Sequence, residues 1–542
     1  MGRLAPTYLP REPHATVLYR LVKEHGAEFL RHARESYDGP LPRYVEDELR
    51  RYLRCGDFSR GFVHLRCPRC QHDLLVPFSC KSRGLCPSCA GRRMAAQAAH
   101  LVDCILPAVP IRQFVLSFPF ELSLLAATKP EVLRALARIH AEELARHYKR
   151  AAKKNGEVGK LHAGAVTFVQ RFGSSLNLHV HLHTCALDGV YVEGEDGHAP
   201  RFVPAPPPSR AELYVLTERV ALRVMTWLRK RGHRKDDDDD RESSDTPERT
   251  FAEVLAQLAT QRGTVENVKD DTGESEGPAE AVGPLLDEAV TRHGFNMHAS
   301  LTISADDALG RERLCRYGLR PPFSLSRFRV LRDGRICYRV KKSSRRISRC
   351  RIMTPLECIA RLCALVPPPR YPLTRYHGVL APRAKLRPHI VPTLPKSVAH
   401  TCERSSPRGG QNEPRSATRD RPPPRDEASP IIPASLPVSA TALARSIVGT
   451  DVPMPNVLSA RHLDRIAGGL LYAATSSVPW ATLIARTFDV DVKACARCGG
   501  RLEVRAVVTD LDLVRRILDA VPRMARAPPP LDSTIAYEPA FA

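Results

Sequence analysis

A mixed α/β or α+β core behind a small cysteine-rich metal-binding unit is the fold class this sequence predicts, and three observations predict it. Two CxxC pairs, Cys67 with Cys70 and Cys86 with Cys89, stand close together near the N-terminus. Strand-like apolar segments follow: IRQFVLSF (111–118), LHAGAVTFVQRF (161–172) and NLHVHLHTCAL (177–187). Between the first two lies KPEVLRALARIHAEELARHYKRAAKK (129–154), a long helical pattern with one apolar stripe and a basic end. At 542 residues the chain is too long for a single core and predicts about three or four folded units.

Taken in order, residues 12–54 carry helical spacing through Val17, Leu18, Leu21 and Val22, then Val45, Leu49 and Leu53. The cysteine stretch 55–89 comes next, and a helix resumes from Arg92 to Cys104. After the histidine strand, Asp188-Gly189 offers a hairpin turn, and 210–231 reads as a helix. Residues 232–283, with KDDDDDRESSDTPER and DDTGESEGPAE, read as a disordered acidic insertion carrying a short helical patch near 251–258. Order resumes with the strand FNMHASLTI (295–303), then the helix DDALGRERLCRY (306–317) with Asp306 near its N-cap. FRVLRDGRICYRV (328–340) reads as a hairpin turning at Asp333-Gly334. Residues 400–437 are rich in Pro, Arg and Ser and read as disordered, and a small unit at 455–523 contains CARCGG.

Lys and Arg number 82 against 59 Asp and Glu, a net charge of +23, which fits a polyanionic partner, nucleic acid above all. No run of about 18 apolar residues and no strongly basic amphipathic helix points to a membrane. The N-terminus lacks a secretory pattern, so the expectation is a reducing cytoplasm in which the 16 cysteines serve metals or cores rather than disulfides. Cys104, Cys185 and Cys363, among apolar neighbours, read as small buried hydrophobes.

The spacing of Cys67, Cys70, Cys86 and Cys89, two knuckles 15 residues apart, predicts a four-thiolate zinc site. With every position filled by sulfur the metal is structural. Cys55 and Cys80 are spare ligands, and Cys495 with Cys498 would have to borrow donors from elsewhere. Arg66, Arg69, Lys81, Arg83, Arg92 and Arg93 surround this unit and could grip phosphates. On a strand, His179, His181 and His183 share one face at about 6.6 Å spacing, so two imidazoles can reach one divalent ion. The alternation alone leaves open a strand whose polar face happens to be histidine. Tyr317, flanked by Arg311, Arg313, Arg316 and Arg320, is a candidate nucleophile, with Tyr376 as the second.

The order of CPRC, SCKSRGLCPSC, VLSFPFEL, RFGSSLNLHVHLH, GFNMHASLTI, LCRYGLRPP, RYHGVLAP and CARCGGRLEV resembles rolling-circle transposases of the insertion sequence ninety-one family and its common-region relatives, over about 12–390 and 455–523. The resemblance implies an α+β fold: an antiparallel-sheet HUH (His-hydrophobic-His) nuclease core with flanking helices behind a transposase zinc-binding domain. The implied units are 12–105 with the zinc domain, 106–231 as the first part of the core, the insertion 232–283, 284–392 as the second part, a linker 393–454, and a C-terminal CxxC unit and tail, 455–542. His181 and His183 would hold catalytic Mg²⁺ or Mn²⁺, with His179 beside them and Gln170 or His298 as third donor. Two-tyrosine members carry Tyr-x-x-x-Tyr; the matching positions are Arg313 and Tyr317, so this chain resembles the single-tyrosine subgroup.

The function implied is nicking and joining of single-stranded or hairpin insertion-sequence ends through a 5′-phosphotyrosine on Tyr317. Arg92, Arg93, Arg316 and Arg320 are the DNA contacts expected. Host replication machinery is a further expected partner, and the nucleoid of a bacterial cytoplasm the expected location. The competing reading is a non-catalytic, zinc-dependent DNA-binding protein, a diverged transposase relic.

Overall fold

The computed structural model describes residues 13–36, 41–194, 198–233, 265–268, 289–340, 348–392, 479–488 and 491–520. Helices α1 (Val17–Ser36) and α2 (Arg43–Leu53) bury Leu18, Leu21, Val22, Val45 and Leu49, the residues whose spacing predicts them. Strands β1 (Phe62–Arg66) and β2 (Asp73–Pro77) pair as a hairpin around the first CxxC. Helix α3 (Pro87–Cys104) begins before the expected Arg92: Cys86 is its N-cap, and Pro87 occupies the first turn, where a missing N–H costs no helical bond.

The core follows as β3 (Ile111–Ser117), α4 (Phe120–Thr128), α5 (Pro130–Lys154), β4 (Leu161–His162), β5 (Gly164–Phe172), β6 (Leu178–Leu187), β7 (Gly189–Val192), β8 (Arg201–Pro204) and α6 (Arg210–Lys230). Ser209 closes a capping box with Glu212 at the start of α6. After β9 (Val265–Val268) come β10 (Val290–Arg292), β11 (Phe295–His298), β12 (Thr302–Ile303), α7 (Ala308–Leu319), β13 (Phe328–Val330), β14 (Ile336–Val340), β15 (Ser348–Met353), α8 (Pro355–Leu365) and β16 (Thr374–Gly378). The C-terminal elements are α9 (Trp480–Phe488), β17 (Glu503–Val508) and α10 (Leu511–Ala520).

The central sheet runs β10-β11-β3-β6-β5-β16, with β12 also on β3. Every pairing is antiparallel, so the core is α+β. The histidine strand β6 lies between β3 and β5, and all its residues but His179 are buried. A four-stranded sheet β13-β14-β15-β9 and a small sheet β4-β7-β8 flank it.

Three expectations need correction. Asp188-Gly189 is no hairpin turn, because β6 and β7 belong to different sheets. The buried Asp188 carboxylate accepts from Arg112 at 2.9 and 3.0 Å and from the Tyr148 hydroxyl at 2.9 Å, fixing the crossing. The α7 cap is Asp307, beside Asp306 as expected, and its carboxylate accepts the Gly310 N–H at 2.7 Å. Within the 232–283 insertion, Val265–Val268 forms an edge strand on β15; the helical patch near 251–258 lies outside the described residues, as does the linker 393–454. The C-terminal CxxC unit is not separate, since β17 pairs with β1 and completes a three-stranded sheet with β2 in the N-terminal domain. The segment FNMHASLTI breaks into β11 and β12, and Arg112 donates to the Ala299 carbonyl at the break. The hairpin at Asp333-Gly334 matches its expectation, with Gly334 at φ 81°.

Candidate active site and cysteine centres

The register of the sheet sets the site. His181 pairs with Gln170 on β5 and Ser117 on β3, and His183 pairs with Phe168 and with Val115, which pairs in turn with His298 on β11. Directly paired residues share a face, so His181, His183, Gln170 and His298 line one side of the sheet. Helix α7 packs on that side. The Tyr317 ring stands edge-on to His183 with centroids 5.2 Å apart, His183 lies 5.0 Å from His181, and His179 stacks on His181 at 5.1 Å.

Two features hold α7 close. Gln170 Nε2 donates to the carbonyls of Tyr317, at 2.8 Å, and Gly318, at 3.2 Å. Gly318 has no side chain to keep the helix off β5; a Cβ there would sit 2.3 Å from Phe168 Cδ2. Gly318 is the penultimate residue of α7, where glycine costs less than the roughly 1 kcal/mol of a helix interior, and the close approach offsets it. Tyr376, on β16, packs instead beneath Arg387 at 6.0 Å, where burial raises its phenol.

Burial lowers the imidazolium stability of both central histidines. His181 is pushed down to about 3, by burial first and then by His179, and His183 falls well below its ordinary value for the same cause, with His181 and Arg320 adding. Both are therefore neutral, the form that ligates metal. His181 Nδ1–H donates to the His179 carbonyl at 3.1 Å, which leaves the Nε2 lone pair for a ligand. Gln113 Nε2 lies 3.0 Å from His183 Nδ1 and as placed donates to it, which puts the ring proton on Nε2; only with the amide turned, its oxygen accepting from Nδ1–H, would His183 present a lone pair at Nε2. That Nε2 and Gln170 Oε1 are buried without a hydrogen-bond partner among the described residues. Two borderline imidazole nitrogens and an amide oxygen on one face are donors that a divalent ion can use. No third His, Cys, Asp or Glu atom among the described residues converges with the two imidazoles.

The arginines divide. Arg320 lies over the Tyr317 ring at 4.6 Å and the Phe172 ring at 5.4 Å, within the site. Arg316, expected on DNA, is turned inward onto Glu312 at 2.7 Å, its side chain largely covered. Arg93 donates to the carbonyls of Lys81 and Ser82, bracing the cysteine loop, while Arg92 is exposed.

The cysteines correct the expected zinc site. Cys67, Cys70, Cys86 and Cys89 do not converge. Cys86 and Cys89 instead meet Cys55 and Cys80, and Cys67 and Cys70 meet Cys495 and Cys498, each set within 4.8 Å. The reason is local: β1 and β2 carry the first knuckle to one side, while the second knuckle opens α3 on the other. In the first set Sγ–Sγ distances are 3.5 Å (Cys80–Cys89), 3.6 Å (Cys86–Cys55) and 3.8 Å (Cys55–Cys89). A tetrahedron of thiolates at about 2.3 Å from zinc has edges of about 3.8 Å, so the set fits that ion. Sequence reasoning missed Glu48, whose buried carboxylate on α2 accepts from the Ser82 hydroxyl and from the N–H groups of Arg83, Gly84 and Leu85. It organises the loop between Cys80 and Cys86; nothing around Glu48 in the sequence marks it.

Two comparisons bear on identity. Residues 164–387, from β5 past β16, match the family model described as "Putative transposase", and residues 21–118 match the one described as "Transposase zinc-binding domain". The second contains Cys55, Cys67, Cys70, Cys80, Cys86 and Cys89; Cys495 and Cys498 lie outside both. No curated protein and no solved structure matches the chain. Among the described residues no helix is long and apolar enough to cross a membrane. With the zinc-binding and transposase models covering both the cysteine domain and the histidine sheet, the chain belongs to the insertion-sequence-ninety-one type of transposases, DNA-cleaving proteins with an N-terminal zinc-binding domain.

Proposed function

We propose that this transposase nicks and rejoins single-stranded DNA at the ends of an insertion sequence, in rolling-circle fashion, with Tyr317 as its one nucleophile. The observation that carries the reading is the Tyr317 ring held edge-on to His183 on the neutral histidine face. Tyr317 Oη attacks the scissile phosphorus, its proton leaves to solvent or a nearby base, and a 5′-phosphotyrosine forms as the 3′-oxygen departs to become a free hydroxyl. Attack by a 3′-hydroxyl later reverses the step and joins strands, so the bond energy is conserved. Mg²⁺ or Mn²⁺ held by His181 and His183 would supply charge neutralisation and alignment of the phosphate. Gln170 and His298, on the same face, are the further donors considered. His179 keeps the His181 tautomer through its carbonyl, and Arg320 puts a cation beside the ring where negative charge develops.

Arg313 stands one helical turn before Tyr317, where two-tyrosine relatives carry their other tyrosine, so each chain makes one covalent link. The exposed Arg92 and the surplus of cations supply phosphate contacts with single strands or hairpins. The test is a denaturing gel with a labelled single-stranded oligonucleotide and Mn²⁺. A His181→Ala, His183→Ala variant is expected to lose nicking while retaining DNA binding; undiminished metal-dependent nicking by that variant removes the histidines from the reaction.

A further inference from the structure

Cys495 and Cys498 belong to neither family match, yet the fold sets them against Cys67 and Cys70. The two pairs build the same backbone knuckle. In the first, Cys67 N–H donates to the His72 carbonyl at 2.8 Å and Gln71 N–H to the Cys67 carbonyl at 2.9 Å, with Gln71 at φ 58°. In the second, Cys495 N–H donates to the Gly500 carbonyl at 2.6 Å and Gly499 N–H to the Cys495 carbonyl at 2.8 Å, with Gly499 at φ 69°. A left-handed residue after the second cysteine is uncommon for a side chain as large as glutamine, and its repetition marks one loop geometry made twice.

The sulfurs of the two knuckles interleave, Cys67 with Cys498 at 3.6 Å and Cys70 with Cys495 at 3.5 Å. These separations are far beyond a disulfide bond and match the edges of a zinc–thiolate tetrahedron, about 3.8 Å. Gly500 confirms the crowding around one point, for a Cβ there would lie 3.2 Å from Cys498 Sγ and 3.3 Å from Cys67 Sγ. Thiols packed merely as small hydrophobes would need neither the repeated knuckle nor the facing pairs.

We propose that Cys67, Cys70, Cys495 and Cys498 hold a second zinc ion, additional to one at Cys55, Cys80, Cys86 and Cys89. The ion ties the far end of the chain into the N-terminal domain. It holds β17 beside β1, and the same C-terminal segment carries α9, whose Arg486 is 1% exposed and bonds Asp103 on α3 and Glu312 on α7. The segment is thus a clasp from the zinc domain to the tyrosine helix.

Elemental analysis of the full chain tests this, with about two equivalents of zinc expected, falling to about one in the Cys495→Ser, Cys498→Ser variant. One equivalent in the native chain, or two retained by that variant, overturns the proposal. Should the variant fail to fold, alkylation of the native zinc-loaded chain by iodoacetamide decides. Cys70 and Cys498 are half-exposed, so they are expected to resist labelling until a chelator is added. Labelling at the rate of ordinary free thiols before chelation overturns it equally.

Discussion

At the scale of single residues, the site depends on what is absent as much as on what is present. Gly318→Ala, in the last turn of α7, gains less than the roughly 1 kcal/mol of helix propensity of an interior site but drives a methyl into the buried Phe168 ring. Overpacking of a core costs about 1–3 kcal/mol and should win, so urea denaturation is expected to show net destabilisation, with a loss of covalent adduct as α7 moves from β5. Gln113→Leu removes the amide beside His183 Nδ1 and frees its tautomer. Losing such a support costs roughly 10–100-fold in metal affinity, to be read as a higher Mn²⁺ requirement for nicking. The histidines and Tyr317 stand out in the sequence as candidates through a two-residue alternation, an arginine-flanked helix and the family resemblance. Gln113 does not, since its contact depends on the register of β3 against β6, which no local pattern states.

At the scale of elements, α3, α7 and α9 meet at a buried ion network. Arg486 bonds Asp103 at 2.5 and 3.0 Å and Glu312 at 2.8 Å, and Glu312 also accepts from Arg316. Burial pushes the Glu312 carboxyl up, yet Arg486 and Arg316 together hold it below its ordinary value. Arg486→Met leaves two carboxylates buried without their shared cation, which should cost about 3–5 kcal/mol in chemical denaturation. Asp103→Asn with Glu312→Gln in that background should recover part of the loss. None of this was readable in WATLIARTF, because Asp103 and Arg486 are 383 residues apart. The cysteines show the same limit. CxxC spacing identifies a knuckle, but which knuckle faces which follows from the pairing of β17 with β1, and proximity in sequence chose wrongly.

At the scale of the whole molecule, a chain carrying +23 should bind single-stranded DNA with an affinity that falls steeply as salt rises. Acid should also loosen it. Neither ring nitrogen of the buried His140 on α5 has a hydrogen-bond partner among the described residues, and burial, with His377 adding, pushes it from 6.5 down to about 3. Between those values only the unfolded chain binds the proton. The contribution is therefore complete above pH 6.5 and is lost as pH falls towards 3. His140→Leu should flatten that slope, by about 1–2 kcal/mol between neutrality and about pH 5, measured by urea denaturation at both. The central claim, one tyrosine acting beside two neutral histidines, is tested most directly by trapping the covalent DNA adduct and mapping it by peptide mass spectrometry. A nucleotide-modified peptide containing Tyr317 is expected, absent from Tyr317→Phe, which still binds the oligonucleotide. An adduct on Tyr376, or one that persists in Tyr317→Phe, would contradict that claim.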